Sequence, residues 1–321
     1  MSKISQTIAT LDPKKRALLA ALLKEQGVEA SRVVILPAPR GAGAFPLSFA
    51  QERLWFLDRL WPGDTSYNLP AALRLSGPLD AGVLGRVFPE IARRHETLRT
   101  RFVEREGRPF QAIEPAVDLP LPVIDLAALE EERREAETRR LASAHATWPF
   151  DLGKAPLLRV TLLRLAAESH VLLFNVHHII SDGWSFGVLN REVGELYESL
   201  AQGRVSSQGA LPALEIQYVD YAVWQRDLLQ GAELERQVGY WRDKLAGAPP
   251  VLELPLDRPR SADPSGQGGQ AFLILGPEIR EGLAALARQS GATLFMVLLA
   301  AFAVLLRRHA GDAPDDVVLG T

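Results

Sequence analysis

Residues 177–187 read HHIISDGWSFG and hold two catalytic patterns laid over each other. One is a histidine pair, His177 and His178, followed by Asp182 and Gly183. The other, Gly183 to Gly187, fits the G-x-S-x-G of a serine-hydrolase elbow, with Ser185 as nucleophile. The flanks weigh them. Upstream, HVLLFNV (170–176) is apolar throughout, as expected of a strand lying centrally in a sheet. Downstream, Phe186, Leu189, Val193, Leu196, Tyr197 and Leu200 step by three and four, the period of a helix. The stretch is therefore a strand-to-helix turn. An elbow serine sits directly after its strand, with an acid and then a histidine later in the chain. Ser185 lies several residues past the strand, and only His309 follows it. A serine at a helix N-terminus is more often a cap, so hydrolysis through Ser185 is the remote alternative.

Adjacent strand residues face opposite ways. His178 is thus expected to face a cleft at the strand end, with His177 on the opposite face as a supporting residue. The pair lacks the i, i+4 spacing of zinc-binding histidines, and no metal site is expected. Asp182 and Gly183 fall in the turn. There a carboxylate braces the loop, and the helix N-terminus offers N–H groups to developing negative charge. A histidine beside such a terminus suits proton abstraction from an amine or hydroxyl. The bland reading of the same residues is a core histidine beside a capping aspartate.

Working outward, Ser48-Phe49-Ala50-Gln51 is a capping-box pattern that starts a helix. AALRLSG (71–77) alternates like a strand. Val83, Leu84, Val87, Phe88 and Ile91 mark a helix over 80–95, which Pro89 is expected to kink or divide. LRTRFVEREGRPFQAI (98–113) predicts two strands around Glu106-Gly107, and LLRVTLLRL (157–165) another. The charged run 129–140 reads as a solvated amphipathic helix, and 214–246 as largely helical. Asp12-Pro13 opens a short helix carrying Leu18, Leu19, Leu22 and Leu23. The resulting division is a helical leader and linker (1–40), an N-terminal lobe with connecting helices (41–246), and a crossover with a partial C-terminal lobe (247–321). The crossover is the Pro-, Gly- and Ser-rich segment 249–269. In the last segment the helix Thr293–Arg308 is apolar around most of its circumference, and DDVVLGT (315–321) reads as a strand in need of neighbours.

Composition narrows the function. A chain of 321 residues, 47% hydrophobic, buries a substantial core and holds about two domains or lobes. A formal net charge of -3 gives no case for nucleic acid or an acidic membrane as the main partner. With Cys 0, disulfides, cysteine nucleophiles and Cys-type zinc sites are excluded together. The longest apolar run, LFMVLLAAFAVLL (294–306), falls short of the roughly 20 residues of a membrane span. The N-terminus lacks a signal peptide's apolar core, so a cytoplasmic location is expected.

Four segments in order carry a family resemblance. SFAQERLWFL (48–57), RHETLRTRF (94–102), HHIISDG (177–183) and YVDYAVW (218–224) resemble the core motifs of nonribosomal peptide synthetase condensation domains, in the superfamily of chloramphenicol acetyltransferase. The third is that family's H-H-x-x-x-D-G, so the His-His-Asp-Gly pattern carries the chemistry and the G-x-S-x-G is coincidental. The resemblance covers about residues 46–321 and implies an α/β (α+β) fold of two lobes, mixed sheets flanked by helices. The family's later Asn-Thr and Arg motif is absent, as though the domain were cut short in its C-terminal lobe.

The implied reaction joins an acyl or peptidyl thioester to the amine of an aminoacyl thioester. Both ride on phosphopantetheine arms presented by donor and acceptor peptidyl carrier domains, with an adenylation domain as further neighbour. No cofactor is held by the chain itself. On this resemblance His178 is the general base or amine-orienting group, and His177 supports it. Asp182 pairs with an arginine, Arg99 being one candidate and the missing C-terminal segment the source of another, and losing it is expected to damage folding. Gly183 leaves room for the arm and offers its N–H to the oxyanion. HHIISDGWSFGVLNRE, with SYNLP upstream, is similar to the branch that joins an L-donor to an L-acceptor. An epimerising relative and a non-catalytic module that only recruits carriers are the alternatives.

Overall fold

The computed structural model describes residues 15, 35–204, 211–249, 251–259, 271–311 and 316–320. The expected leader helix, apart from Lys15, and most of the second half of the expected crossover lie outside them. The strands are β1 (Phe45–Pro46), β2 (Asn68–Ser76), β3 (Thr100–Arg105), β4 (Arg108–Ile113), β5 (Val123–Asp125), β6 (Leu158–Ala166) and β7 (Ser169–His177). The helices are α1 (Phe49–Leu60), α2 (Ala81–Arg94), α3 (Glu131–Ala146), α4 (Gly183–Ala201), α5 (Tyr218–Leu228), α6 (Gly231–Lys244), α7 (Pro277–Gln289) and α8 (Leu294–His309). Short 3₁₀ turns occupy Arg40–Ala42 and Glu96–Arg99. The chain divides into two compact units, Met1–Leu234 and Glu235–Thr321.

The first unit is built on a four-stranded sheet of order β2-β7-β6-β5, antiparallel except for the parallel β5–β6 pair. β7 is central, as its unbroken apolar run predicts: nearly every residue of it is buried. Alternation then assigns the faces. Leu158, Val160, Leu162, Leu172, Phe174 and Val176 join the larger core, with Val83, Val87, Phe88 and Ile91 of α2 and Val193 and Leu196 of α4. Leu163, Leu165, Val171 and Leu173 face the other way, against Leu141 and Ala142 of α3. The asparagines of that second face finish α3: Asn68 and Asn175 side-chain amides donate to the carbonyls of His145, Ala146 and Trp148, groups a helix end leaves unpaired. A smaller antiparallel sheet, β1-β4-β3, completes the unit.

The local predictions hold where short-range chemistry decides them. Ser48 caps α1 with both arms of the capping box in place. The 98–113 segment forms the β3–β4 hairpin, and Glu106 (φ 53°) and Gly107 (φ 74°) take the paired left-handed conformations of a type I′ turn. Two expectations meet their limits. Of the kink or division expected at Pro89, division does not occur: α2 runs unbroken from Ala81 to Arg94. Pro89 is on the exposed face of the helix, away from the core that Val87, Phe88 and Ile91 enter, so the missing N–H costs one bond on the solvent side and leaves the buried stripe intact. DDVVLGT forms no strand over its described residues 316–320. Apolar, β-branched residues become a strand only when another backbone pairs with them.

In the second unit α7 and α8 form a helical hairpin, with Thr293 capping α8 through Met296 N–H (3.2 Å). No residue of α8 is buried. Among the described residues no single helix is long and apolar enough to cross a membrane; α7 and α8 reach that length only as a pair bent by 105°.

Candidate active site

β7 ends at His177, and the loop beyond it is tied to both neighbouring strand ends. His177 N–H donates to Leu157 O (3.0 Å), His178 N–H to Tyr67 O (2.9 Å), and Ile180 N–H closes a turn on His177 O (3.1 Å). A third tie comes from α1. The buried Gln51 of the capping box accepts from Ser48 N–H (3.0 Å) and donates to Ile179 O (3.4 Å). The SFAQ and HHIISDG segments are thus one hydrogen-bonded unit.

The two histidines part at the end of the strand, His177 as the last residue of β7 and His178 in the turn beyond it. His177 is buried, edge-on to Phe150, and its Nδ1 accepts Ile179 N–H (3.1 Å). Burial, with a smaller contribution from His178, pushes its pKa down to about 4, so the ring is neutral. His178 is exposed and lines a cavity. Its Nδ1 lies 2.8 Å from Ser181 O. A carbonyl accepts only, so Nδ1 carries the proton and Nε2 keeps a lone pair. Among the described residues Nε2 has no partner.

Asp182 is the N-cap of α4, and among the described residues it pairs with Ser185 and with no arginine. Its Oδ1 accepts Ser185 N–H (2.7 Å) and Ser185 Oγ–H (2.6 Å). These bonds, chiefly the hydroxyl's, hold the carboxyl below the usual carboxylate range. Arg99 instead donates to main-chain carbonyls, Ala92 O at 2.9 Å among them. The physical reason is local: a cap needs its carboxylate turned toward the helix's free N–H groups. The same bonds dispose of the hydrolase pattern, since the Ser185 hydroxyl is spent on Asp182. Gly183, the first residue of α4, meets open space where a Cβ would project, with nothing within 4 Å. Its N–H has no partner among the described residues.

The cavity, of about 440 Å³, draws its wall from all four segments: Leu54, His95, Leu98, His178, Trp184 and Tyr218 among others. Buried polar ties fix these walls. Glu192 of α4 is only 4% exposed and accepts from Arg94 Nε (3.1 Å) and Nη2 (3.2 Å) and from His95 Nε2 (2.6 Å). Gln217 bridges Arg94 O and Glu96 N–H, both at 3.0 Å. Asp220, 1% exposed, takes Ala38 N–H (2.8 Å) and the Arg40 guanidinium (2.6 and 3.1 Å), while Tyr218 Oη shares a 2.9 Å bond with Ser48 Oγ. Burial raises the Tyr218 phenol above its ordinary value. Among the described residues no group of three or more His, Asp or Glu converges to hold a metal.

This site sits in a stretch, residues 42–321, that matches the family model described as Condensation domain. The chain belongs to that family. The condensation domain is 45% identical over 305 residues to one of the linear gramicidin synthase proteins of Brevibacillus parabrevis, covering 95% of this chain and 6% of that protein. It is 41% identical over 321 residues to phosphinothricin tripeptide synthetase PhsC of Streptomyces viridochromogenes, covering 100% and 29%. Among solved structures it resembles the X-domain in complex with OxyB from teicoplanin biosynthesis (TM-score 0.73, 31% identity, 87% of this chain and 60% of that one). It also resembles the first condensation domain of the calcium-dependent antibiotic synthetase in complex with a substrate analogue (TM-score 0.68, 28% identity, 83% and 61%). The chain thus spans only a small part of its curated relatives, and the two-lobed acetyltransferase-like fold class is that of its structural neighbours.

Sequence reasoning on the condensation domain brought His178, His177, Asp182 and Gly183 to one loop and missed the clamp that aims α4. The signal was present: Glu192 is a carboxylate on the apolar stripe Leu189-Val193-Leu196, and a charge on a buried face requires a partner.

Proposed function

We propose that this condensation domain forms an amide bond between a carrier-bound acyl or peptidyl thioester and the amine of a carrier-bound aminoacyl thioester, joining an L-donor to an L-acceptor. The observation that carries the reading is His178: its tautomer is set by Ser181 O, which leaves Nε2 a lone pair, and the residue borders a cavity walled by all four motif segments. The amine attacks the thioester carbonyl, the C–N bond forms, and Nε2 takes the proton the nitrogen must shed. Negative charge develops on the carbonyl oxygen beside the N-terminus of α4, where the unpaired Gly183 N–H is available to it. The open space at Gly183 admits the pantetheine-borne end of a substrate. Asp182 holds that turn and moves no proton, since its carboxyl is ionised and occupied by Ser185. The L-to-L assignment rests on the likeness of HHIISDGWSFGVLNRE and SYNLP to that branch.

The test is a single-turnover reaction with a loaded donor carrier and a loaded acceptor carrier. The expected product is the amide on the acceptor carrier, formed faster from L- than from D-configured donor. Inversion of a single loaded carrier without amide formation would identify an epimerising relative. Carrier binding with no turnover would identify a recruiting module.

A further inference from the structure

A phenol on the cavity wall has a proton that the protein itself does not use. Tyr218, the first residue of α5, lines the same cavity as His178. Its Oη lies 2.9 Å from Ser48 Oγ, and distance alone does not say which hydroxyl donates. Counting protons decides. Ser48 is wholly buried, and its Oγ already accepts Gln51 N–H at 3.2 Å. A serine hydroxyl has one proton to place, and a buried donor left without an acceptor is costly. Among the described residues Tyr218 Oη is the only acceptor within its reach. Ser48 therefore donates, Tyr218 accepts, and the phenol's own proton is left over. Tyr218 is only half-buried, so that proton is free to turn into the cavity. Burial raises the phenol's pKa, against the smaller pull of the Ser48 bond, and Tyr221 and the Asp182 carboxylate add to the rise. The cavity is thus offered a neutral donor of fixed position. Ser48 holds its oxygen, and Tyr221 packs on its ring with centroids 5.4 Å apart.

Such a donor calls for an oxygen acceptor on whatever enters. A substrate on a pantetheine arm carries one close to its reacting end, because two methylenes join the thioester sulfur to an amide, and an amide carbonyl accepts well. A cavity of about 440 Å³ is of the size that one small ligand fills. An arm whose thioester reaches His178 therefore brings the adjacent amide within the same walls. We propose that Tyr218 donates a hydrogen bond to the carbonyl of the amide next to the thioester, and so sets how far the arm enters. That carbonyl does not change charge in the reaction, so the bond acts on binding and not on the bond-making step. No proton is transferred at Tyr218.

This inference rests on the amide-forming reading, and the test separates the two. Tyr218→Phe keeps the ring and removes the donor. One substrate is supplied on its loaded carrier and the other as a soluble thioester, either of N-acetylcysteamine, which retains the amide, or of butanethiol, which lacks it. Each thioester is tried as donor and as acceptor. On at least one side, Tyr218→Phe is expected to raise KM for the N-acetylcysteamine thioester about fivefold with kcat unchanged. KM for the butanethiol thioester should not move, and the side that responds identifies which carrier's arm meets Tyr218. Equal change with both thioesters, or none with either, overturns the assignment. No amide from two loaded carriers with the unsubstituted chain overturns the amide-forming reading instead. Should Tyr218→Phe fail to fold, difluorotyrosine in place of Tyr218 gives the answer, since its phenol loses the proton near neutral pH. KM for the N-acetylcysteamine thioester alone is then expected to rise through that titration, and a KM independent of it overturns the proposal.

Discussion

At the residue scale, the two adjacent histidines are made different by the end of a strand, His177 lying inside it and His178 just past it. His177 is buried and neutral, with a pKa of about 4, against an unfolded value near 6.5. Between those values the unfolded chain binds a proton that the folded chain refuses. The stability this contributes is therefore fully present above about pH 6.5 and is lost as pH falls toward about 4, by something on the order of 3 kcal/mol. Denaturant melts across this range should show the loss. His177→Asn, which keeps an acceptor for Ile179 N–H but does not titrate, should flatten that part of the profile. Asp182 makes the opposite case to the one expected from sequence. It is an exposed cap, so Asp182→Ala should cost about 1 kcal/mol, well short of the 3–5 kcal/mol of a broken buried pair. A melting curve separates these values. Its effect on turnover should come through the displaced turn, and Asp182→Asn, which still caps, should recover most of it.

At the element scale, α4 is aimed from two points. Asp182 caps its start, and Glu192, about three turns on, fastens it to Arg94 and His95. Removing that buried carboxylate leaves the partly buried Arg94 guanidinium (side chain 11% exposed) without its counter-charge, so Glu192→Ala should destabilise the first unit by about 3 kcal/mol, measurable by chemical denaturation. The β3–β4 turn offers a gain instead. Glu106 bears a side chain at φ 53°, where asparagine is better accommodated, so Glu106→Asn should raise stability by up to about 1 kcal/mol. These elements also divide by how far they could be read from sequence. The capping box at Ser48, the alternation of 71–77 and the Glu106-Gly107 turn are decided within a few residues, and all formed where expected. The partner of Asp182 was not legible in this way: an arginine was expected, and only the direction of the cap turns the carboxylate to Ser185 instead. Nor was the fate of 316–320 legible, since a strand is a property of two segments. Glu192 was readable in principle, as a charge among leucines and valines, but its partners lie about a hundred residues away.

At the scale of the whole molecule, the two units are unequal. Both core clusters, and every buried polar residue described, lie in Met1–Leu234. In Glu235–Thr321 only Ala287 and Ala310 are buried among the described residues, and α8 exposes Phe295 (59%), Met296 (57%) and Phe302 (49%). Helical amides there should open locally at low cost, exchanging with solvent at least about 100-fold faster than those of β6 and β7, and the 321-residue chain should bind a hydrophobic dye. Uniform protection across both units, with no dye signal, would contradict that account. The site itself is confined to the better-packed unit, and its chemistry turns on one ring nitrogen. His178→Asn isolates it, because the asparagine amide can still donate to Ser181 O and hold the loop while Nε2 is gone. In a single-turnover reaction between loaded donor and acceptor carriers, the unsubstituted chain should form the amide, and His178→Asn should be at least about 100-fold slower with an unchanged melting temperature. Amide formation at the unsubstituted rate by a folded His178→Asn protein would contradict the account.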